Sequence, residues 1–191
     1  MVREIRKAKL CILAEGYEED AYLRKILSFP NCLKEKYEIV IINAKGRDKL
    51  INRYQDLYQS SHYEQIYIFA DGDNNPIYIK KTIDAIANIR DDDKEVFIYV
   101  NPVTLQIVLS HFGKVCLTKV GKKSNAPIVE KLTGIKNYDG KTEQISELVS
   151  KITYKSINTM LENINKLATS INDSPASNIN SYVKYIFAKN K

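Results

Sequence analysis

Gln65-Ile66-Tyr67-Ile68-Phe69-Ala70-Asp71-Gly72-Asp73-Asn74-Asn75 is the stretch on which the reading of this chain turns. A largely apolar run ends abruptly in two aspartates set around a glycine. Residues 10–14 behave in the same way: a short apolar run reads as a buried strand and stops at Glu15-Gly16-Tyr17-Glu18-Glu19-Asp20. Two strands that each end in carboxylates predict one metal-dependent site at the edge of a parallel sheet.

Between these stretches, residues 37–43 form a strand rich in β-branched residues, and residues 95–100 form a fourth. A helix is expected from Glu18 to about Ser28, with acidic residues in its first turn that suit the helix dipole, and Phe29-Pro30-Asn31 breaks it. A second helix, which Asp48 can cap, runs to about Ser60, and a third runs from Ile77 to Arg90. Asp91-Asp92-Asp93-Lys94 reads as a solvated turn. Strand and helix thus alternate four times, which calls for right-handed crossovers and a parallel sheet with helices on both faces. Ligands of such sheets collect beyond the carboxyl ends of the strands, where Glu15, Asn43, Asp71, Asp73 and Asn101 all fall.

Downstream, an amphipathic helix is expected from Pro102 to about Ser110, followed by a fifth strand over residues 114–118. Gly121-Lys122-Lys123-Ser124-Asn125 reads as a basic loop. From about Ala126 the chain reads as helices parted at residues 136–140 and 173–176. Ile152, Ile157, Met160, Leu161, Ile164 and Leu167 lie near helical spacing, a stripe expected to pack on the sheet. The expected architecture is α/β and Rossmann-like. A mainly parallel four- to five-stranded sheet flanked by helices occupies residues 1–120, and residues 121–191 are a helical C-terminal extension packed on the same domain.

The 191 residues, 44% hydrophobic and 27% charged, suit one soluble globular domain. No apolar run approaches the roughly 20 residues that a membrane helix needs. The charged run from Met1 to Lys9 leads straight into a strand-like segment and does not read as a signal peptide. Cys11, Cys32 and Cys116 are an odd number without metal-ligand spacing; Cys11 and Cys116 sit in apolar runs and read as reduced core residues, which points to a cytoplasmic location. A net charge of +6 favours a polyanionic partner, and phosphodiester chemistry needs such a surround about an acidic metal site.

Asp71 and Asp73, two residues apart on a strand or its extension, can converge on one hard cation. Carboxylates that share an ion with waters and substrate phosphates describe a Mg²⁺ site. Glu15, from the neighbouring strand end, completes the set or serves as general acid or base. The plain alternative is a polar turn whose Asp and Asn side chains cap helices. Lys45, Arg47, Lys49, Lys119, Lys122 and Lys123 sit in loops on or near the same face, where they can hold phosphates without reading sequence, or be merely solvated. Tyr17 and Tyr78 flank the acidic loops, placed to stack a base. His111 reads as a structural hydrogen-bonder before a catalytic base, His62 as solvated, and no Ser-His-Asp, Cys-His or zinc pattern is present.

Glu-Gly after a first strand, with Asp-x-Asp after the third, resembles the TOPRIM domain of topoisomerases, primases and OLD-type nucleases. The resemblance implies that Glu15, followed by Gly16, is the acid/base, and that Asp71 and Asp73 hold Mg²⁺, with Mn²⁺ able to stand in. In the OLD-type branch an acidic residue four places after the glutamate contributes, and here that is Glu19. Glu15 to Tyr22, Asn101-Pro102 through His111-Phe112, and Ser174-Pro175-Ala176-Ser177-Asn178 are similar to the RloB-like TOPRIM proteins of prokaryotic restriction and abortive infection. Asn101 and His111 enter as supporting positions on that basis. The family carries an aromatic-Glu pair and a Trp in the Asn-Pro segment; here Thr104-Leu105 and Ile107 stand there, with Gln106 the nearby polar substitute. The implied function is a Mg²⁺-dependent nuclease for RNA or DNA in antiphage defence or RNA processing, working with an ATPase or other defence subunit or as a homodimer. Two alternatives stay open. One is a TOPRIM-like scaffold that binds nucleic acid or protein without turnover. The other is a phosphohydrolase of the haloacid dehalogenase kind, although that family carries its Asp-x-Asp on the first strand.

Overall fold

Strand β1 (Ala8–Ala14) turns Leu10, Ile12 and Ala14 to one face of a sheet and Cys11 and Leu13 to the other, and all five are buried. Burial on both faces is what a central parallel strand requires. β1 pairs in parallel with β2 (Tyr37–Asn43) on one side and with β3 (Gln65–Asp71) on the other; β4 (Phe97–Asn101) lies parallel beside β3. The order is β2-β1-β3-β4-β5, with the two-residue β5 (Ala176–Ser177) antiparallel on the β4 edge. The chain is therefore an α/β protein with a five-stranded, mostly parallel sheet. The computed structural model describes residues 7–92 and 94–187, so residues 1–6 of the charged N-terminal run and Asp93 of the acidic turn lie outside the described residues.

Helix α1 (Tyr17–Ser28) and the short α2 (Leu33–Lys36) link β1 to β2, α3 (Arg47–Gln59) carries the chain past β1 to β3, and α4 (Pro76–Ile89) links β3 to β4. Leu50 and Tyr54 of α3 and Ile79 and Ile86 of α4 pack with Cys11, Leu13, Ile68 and Ala70 on one face. Tyr22, Leu23 and Ile26 of α1 pack with Ile12, Ala14, Phe69 and Val100 on the other. β1 is thus followed by α1 on one face toward β2, and β3 by α4 on the other face toward β4, which makes the carboxyl ends of β1 and β3 the switch point of the sheet. Glu15 and Asp71 stand at those two ends.

The remaining helices, α5 (Leu105–Ser110), α6 (Lys122–Thr133), α7 (Thr142–Ser150), α8 (Ser156–Ile164) and α9 (Ile179–Phe187), build the same core as α1. The stripe from Ile152 to Leu167 joins it, packing chiefly on α5 and α9 instead of directly on the strands.

Several expectations change. Residues 114–118 form no strand, because the Gln106 side chain takes up their backbone: Nε2 donates to Val115 O at 3.1 Å and Oε1 accepts from Leu117 N at 2.8 Å. Cys116, in that segment, is accordingly exposed, whereas Cys11 is buried. The β4 edge is taken by Ala176 and Ser177, residues that read as a turn. Asn178 prolongs the pairing with its side chain, accepting from Tyr99 N at 2.9 Å and donating to Phe97 O at 2.8 Å. Residues 122–125 are the first turn of α6, with Gly121 as N-cap, and not a loop. Gly46, not Asp48, caps α3. Its φ of +122° lies in a region that only glycine adopts without strain. No helix among the described residues is long and apolar enough to cross a membrane.

Candidate metal centre

Glu15 is fixed by its own backbone between two neighbouring strands. Its amide donates to Phe69 O at 3.0 Å, and its carbonyl accepts from Gly46 N at 2.9 Å, one step beyond the β1–β2 ladder. The next residue, Gly16, is the N-cap of α1. Its amide donates to Glu19 Oε2 at 3.1 Å, the returning half of a capping box. Glu19 is buried and engaged with the helix start, yet its charge reaches both Glu15 and Asp71.

Asp71 closes β3, and the loop after it is tied to β4. Gly72 N donates to Val100 O at 2.8 Å, and Asp73 N to Pro102 O at 2.7 Å. Asp73 and Asn74 both take left-handed backbone, φ +47° and +55°, which Asp and Asn accept more readily than most residues. Asn101 is a pin for this loop, not a ligand: it is 2% exposed, Oδ1 accepts from Asn74 N at 2.9 Å and Nδ2 donates to Asp173 O at 2.7 Å.

The three carboxylates meet on one guanidinium. Arg47, the first residue of α3, places Nε 3.3 Å from Glu15 Oε1, and its Nη2 3.0 Å from Asp71 Oδ1 and 2.8 Å from Asp73 Oδ2. Its Cζ lies 4.0 Å from the centre of the Tyr78 ring, a cation–π contact. One positive charge does not balance the acids. Burial, helped by Glu19 and Asp73 and opposed by Arg47, pushes Glu15 up to about 7. Burial and the charges of Glu19, Glu15 and Asp73 hold Asp71 well above the usual carboxylate range against Arg47. Burial pulls the Arg47 guanidinium down, but Glu15 and Asp73 outweigh it and hold it up. Glu15 Oε2 is buried without a hydrogen-bond partner.

In chemistry the donors fit a hard divalent cation: carboxylate oxygens from two adjacent strand ends already surrounding a cation. In spacing they are set for the larger guanidinium, and among the described residues no three His, Cys, Asp or Glu side chains are grouped closely enough to hold a metal as they stand.

The other expected residues divide. Lys122 is paired with Glu18, a buried acid that its burial raises and Lys122 lowers. Burial opposes the Lys122 charge, but Glu18, Glu19 and Asp71 outweigh it and keep Lys122 above its ordinary value. Lys123, Lys119 and Lys45 are exposed. Lys45 and Lys49 line a cleft of about 270 Å³ with Asn43, Asn52, Arg53 and the acidic Asp56, adjoining the β2 end and the start of α3. Arg53 escaped the sequence reading, though the spacing 49, 53 places two cations on one ridge of α3, with Lys45 in the loop before it. His111 is a core residue: Nε2 faces the Tyr22 hydroxyl at 3.2 Å and Nδ1 the Ser156 hydroxyl at 2.9 Å, and burial lowers it to about 4. Gln106, fully buried, is spent on the 115–117 backbone. His62 is exposed, and Tyr17 lies exposed beside Ser146, 2.9 Å between hydroxyls. The role of Arg47 as common partner of Glu15, Asp71 and Asp73 also went unread, because nothing in a loop arginine tells that it folds inward. Against known proteins, no family model, no curated protein and no solved structure matches the chain.

Proposed function

We propose that the chain is a Mg²⁺-dependent phosphodiesterase of the TOPRIM kind that cuts a nucleic acid. What supports this most directly is the meeting of Glu15, Asp71 and Asp73 around one cation at the switch point of a parallel sheet. Asp71 and Asp73 are the candidate holders of Mg²⁺ or Mn²⁺, with Glu15 beside them. When bound, such an ion supplies Lewis-acid charge and lowers the pKa of a water. Glu15, whose Oε2 is buried without a hydrogen-bond partner, is the candidate group to take or return a proton. Lys45, Lys49 and Arg53, none of them in an ion pair among the described residues, offer a nucleic-acid backbone its phosphate contacts. Glu19 acts on Glu15 through its charge and orients Gly16; Arg47 must leave the carboxylates before it can touch a phosphate.

Cleavage of tRNA, single-stranded RNA and plasmid DNA with Mg²⁺, Mn²⁺ or EDTA tests this, beside Asp71→Ala, Asp73→Ala and Glu15→Ala. The expected result is metal-dependent cleavage by the parent protein, lost in all three folded variants. Equal cleavage by the variants would remove the assignment.

A second reading, a TOPRIM-like scaffold that binds without turnover, is favoured by Gln106. This polar substitute for the family's glutamate is committed to the 115–117 backbone and adds nothing to the cluster. Nucleic-acid binding without cleavage in any divalent ion, or activity only with an ATPase subunit or second copy present, separates the two.

A further inference from the structure

We propose, resting on the metal-dependent reading above, that Arg47 is the resident counter-ion of this site and that a divalent cation binds only by competing it away from Glu15, Asp71 and Asp73. Arg47 addresses all three carboxylates at 2.8 to 3.3 Å, and Nη2 also lies 3.4 Å from the Asp71 carbonyl oxygen. Within the described residues its side chain makes no ion pair elsewhere. The planar fork with several donors is the group best shaped for such a seat, and the Tyr78 ring closes its flat side.

The same contacts explain why the carboxylates stand too far apart for a metal. Asp71 and Asp73 share Nη2 while Glu15 is held off at Nε, whereas a small ion asks all the oxygens to close on a single point. A divalent ion brings twice the charge of the arginine to three acids, so the exchange is electrostatically favoured once ion is abundant. A way out exists on the solvent side: the Arg47 side chain is 29% exposed and that of Asp73 45%, against 15% for Glu15. The backbone holds still while the side chain turns, because Gly46 N is bonded to Glu15 O and Asp20 and Glu19 fix the α1 start. Arg47 therefore keeps the acids assembled in the absence of metal and makes loading a substitution. The released guanidinium stays tethered beside the site, where a phosphate offers it the same oxygen geometry as the carboxylates.

Calorimetric titration of Mn²⁺ into the full chain, Arg47→Met and Arg47→Lys tests this, with nuclear magnetic resonance of the Arg47 Nε–Hε group during Mg²⁺ titration of the parent protein. Arg47→Met is expected to bind Mn²⁺ at least tenfold more tightly than the parent, with Arg47→Lys between them. The Arg47 resonance is expected to move saturably, with the midpoint of Mg²⁺ binding. Unchanged or weaker Mn²⁺ affinity in Arg47→Met, or an unmoved resonance while Mg²⁺ binds, overturns the competition and leaves the metal reading standing. No Mn²⁺ binding to any of the three proteins at millimolar concentration overturns both. Should Arg47→Met fail to fold, the resonance in the parent protein decides alone.

Discussion

A Cβ on Gly72 would lie 2.8 Å from Asn101 Oδ1 and 2.7 Å from Ile79 Cδ1, so these two side chains leave position 72 no room for anything but hydrogen. The same oxygen holds the Asn74 amide, and through this contact the Asp71–Asp73 loop is locked to β4. Gly72→Ala is expected to destabilise by about 1–3 kcal/mol, the ordinary cost of overpacking. It should also weaken Mn²⁺ binding, since Asp71 and Asp73 flank the displaced residue. Asn101→Ala should cost a similar amount, about 1–3 kcal/mol, by stranding the Asn74 amide and the Asp173 carbonyl. Urea midpoints and calorimetry check both; a Gly72→Ala protein with parental stability would show that the loop is not locked.

His111 gives the fold a sensitivity to acid. Folded, it titrates near 4; unfolded, near 6.5, so between those values the unfolded chain binds the extra proton. Stability is therefore full above about pH 6.5, falls as pH drops toward 4, and loses no more from this group below that. The whole window is worth about 3 kcal/mol at 1.36 kcal/mol per unit. The difference in unfolding free energy between the parent protein and His111→Gln should shrink by that order from neutral pH to about pH 4. A constant difference would mean that His111 is not held neutral by burial.

Lys122 is read here as the counter-ion of Glu18 before a phosphate ligand. Lys122→Met leaves the Glu18 carboxylate buried and unpaired, while Glu18→Gln with Lys122→Met removes both charges together. Breaking a fully buried pair costs about 3–5 kcal/mol; Lys122 is 41% exposed, so about 1–3 kcal/mol is expected, largely recovered in the double variant. Melting temperatures decide. An unchanged melting temperature with weakened nucleic-acid binding would return Lys122 to the phosphate role.

The cleft of Lys45, Lys49 and Arg53 should reveal itself in salt dependence. If each contacts a phosphate of a single strand, replacing all three by Gln lowers the slope of log affinity against log salt by about 2, at about 0.7 per contact. The melting temperature should stay put, because Lys45 and Lys49 are exposed and the cleft is open to solvent. A slope equal to that of the parent protein places the nucleic acid elsewhere.

β1, β3 and β4 were legible in the sequence because each is buried on both faces and so reads as an unbroken apolar run, and with them came the positions of Glu15 and Asp71 at strand ends. β5 was not, because two residues have no period, and its pairing is completed by the Asn178 side chain, not by backbone alone. Residues 114–118 misled for the complementary reason. An apolar run looks like a strand whether its hydrogen-bond partner is a neighbouring strand or, as here, one glutamine. At the site, the acids were visible as a pattern, whereas Arg47 lies 32 residues from Glu15 and 24 from Asp71, and its direction is set only by the fold.

The antiparallel pairing of Ala176 and Ser177 with β4 also has a consequence in time. During synthesis β4 emerges well before the residues that cover its outer edge, and at about 5–20 residues per second the interval is several seconds. Through that interval a strand made of Phe97, Ile98, Tyr99 and Val100 presents open backbone groups and apolar side chains to every neighbouring nascent chain. The last helix and its two-residue strand thus act, for each new molecule, as a built-in chaperone that arrives late.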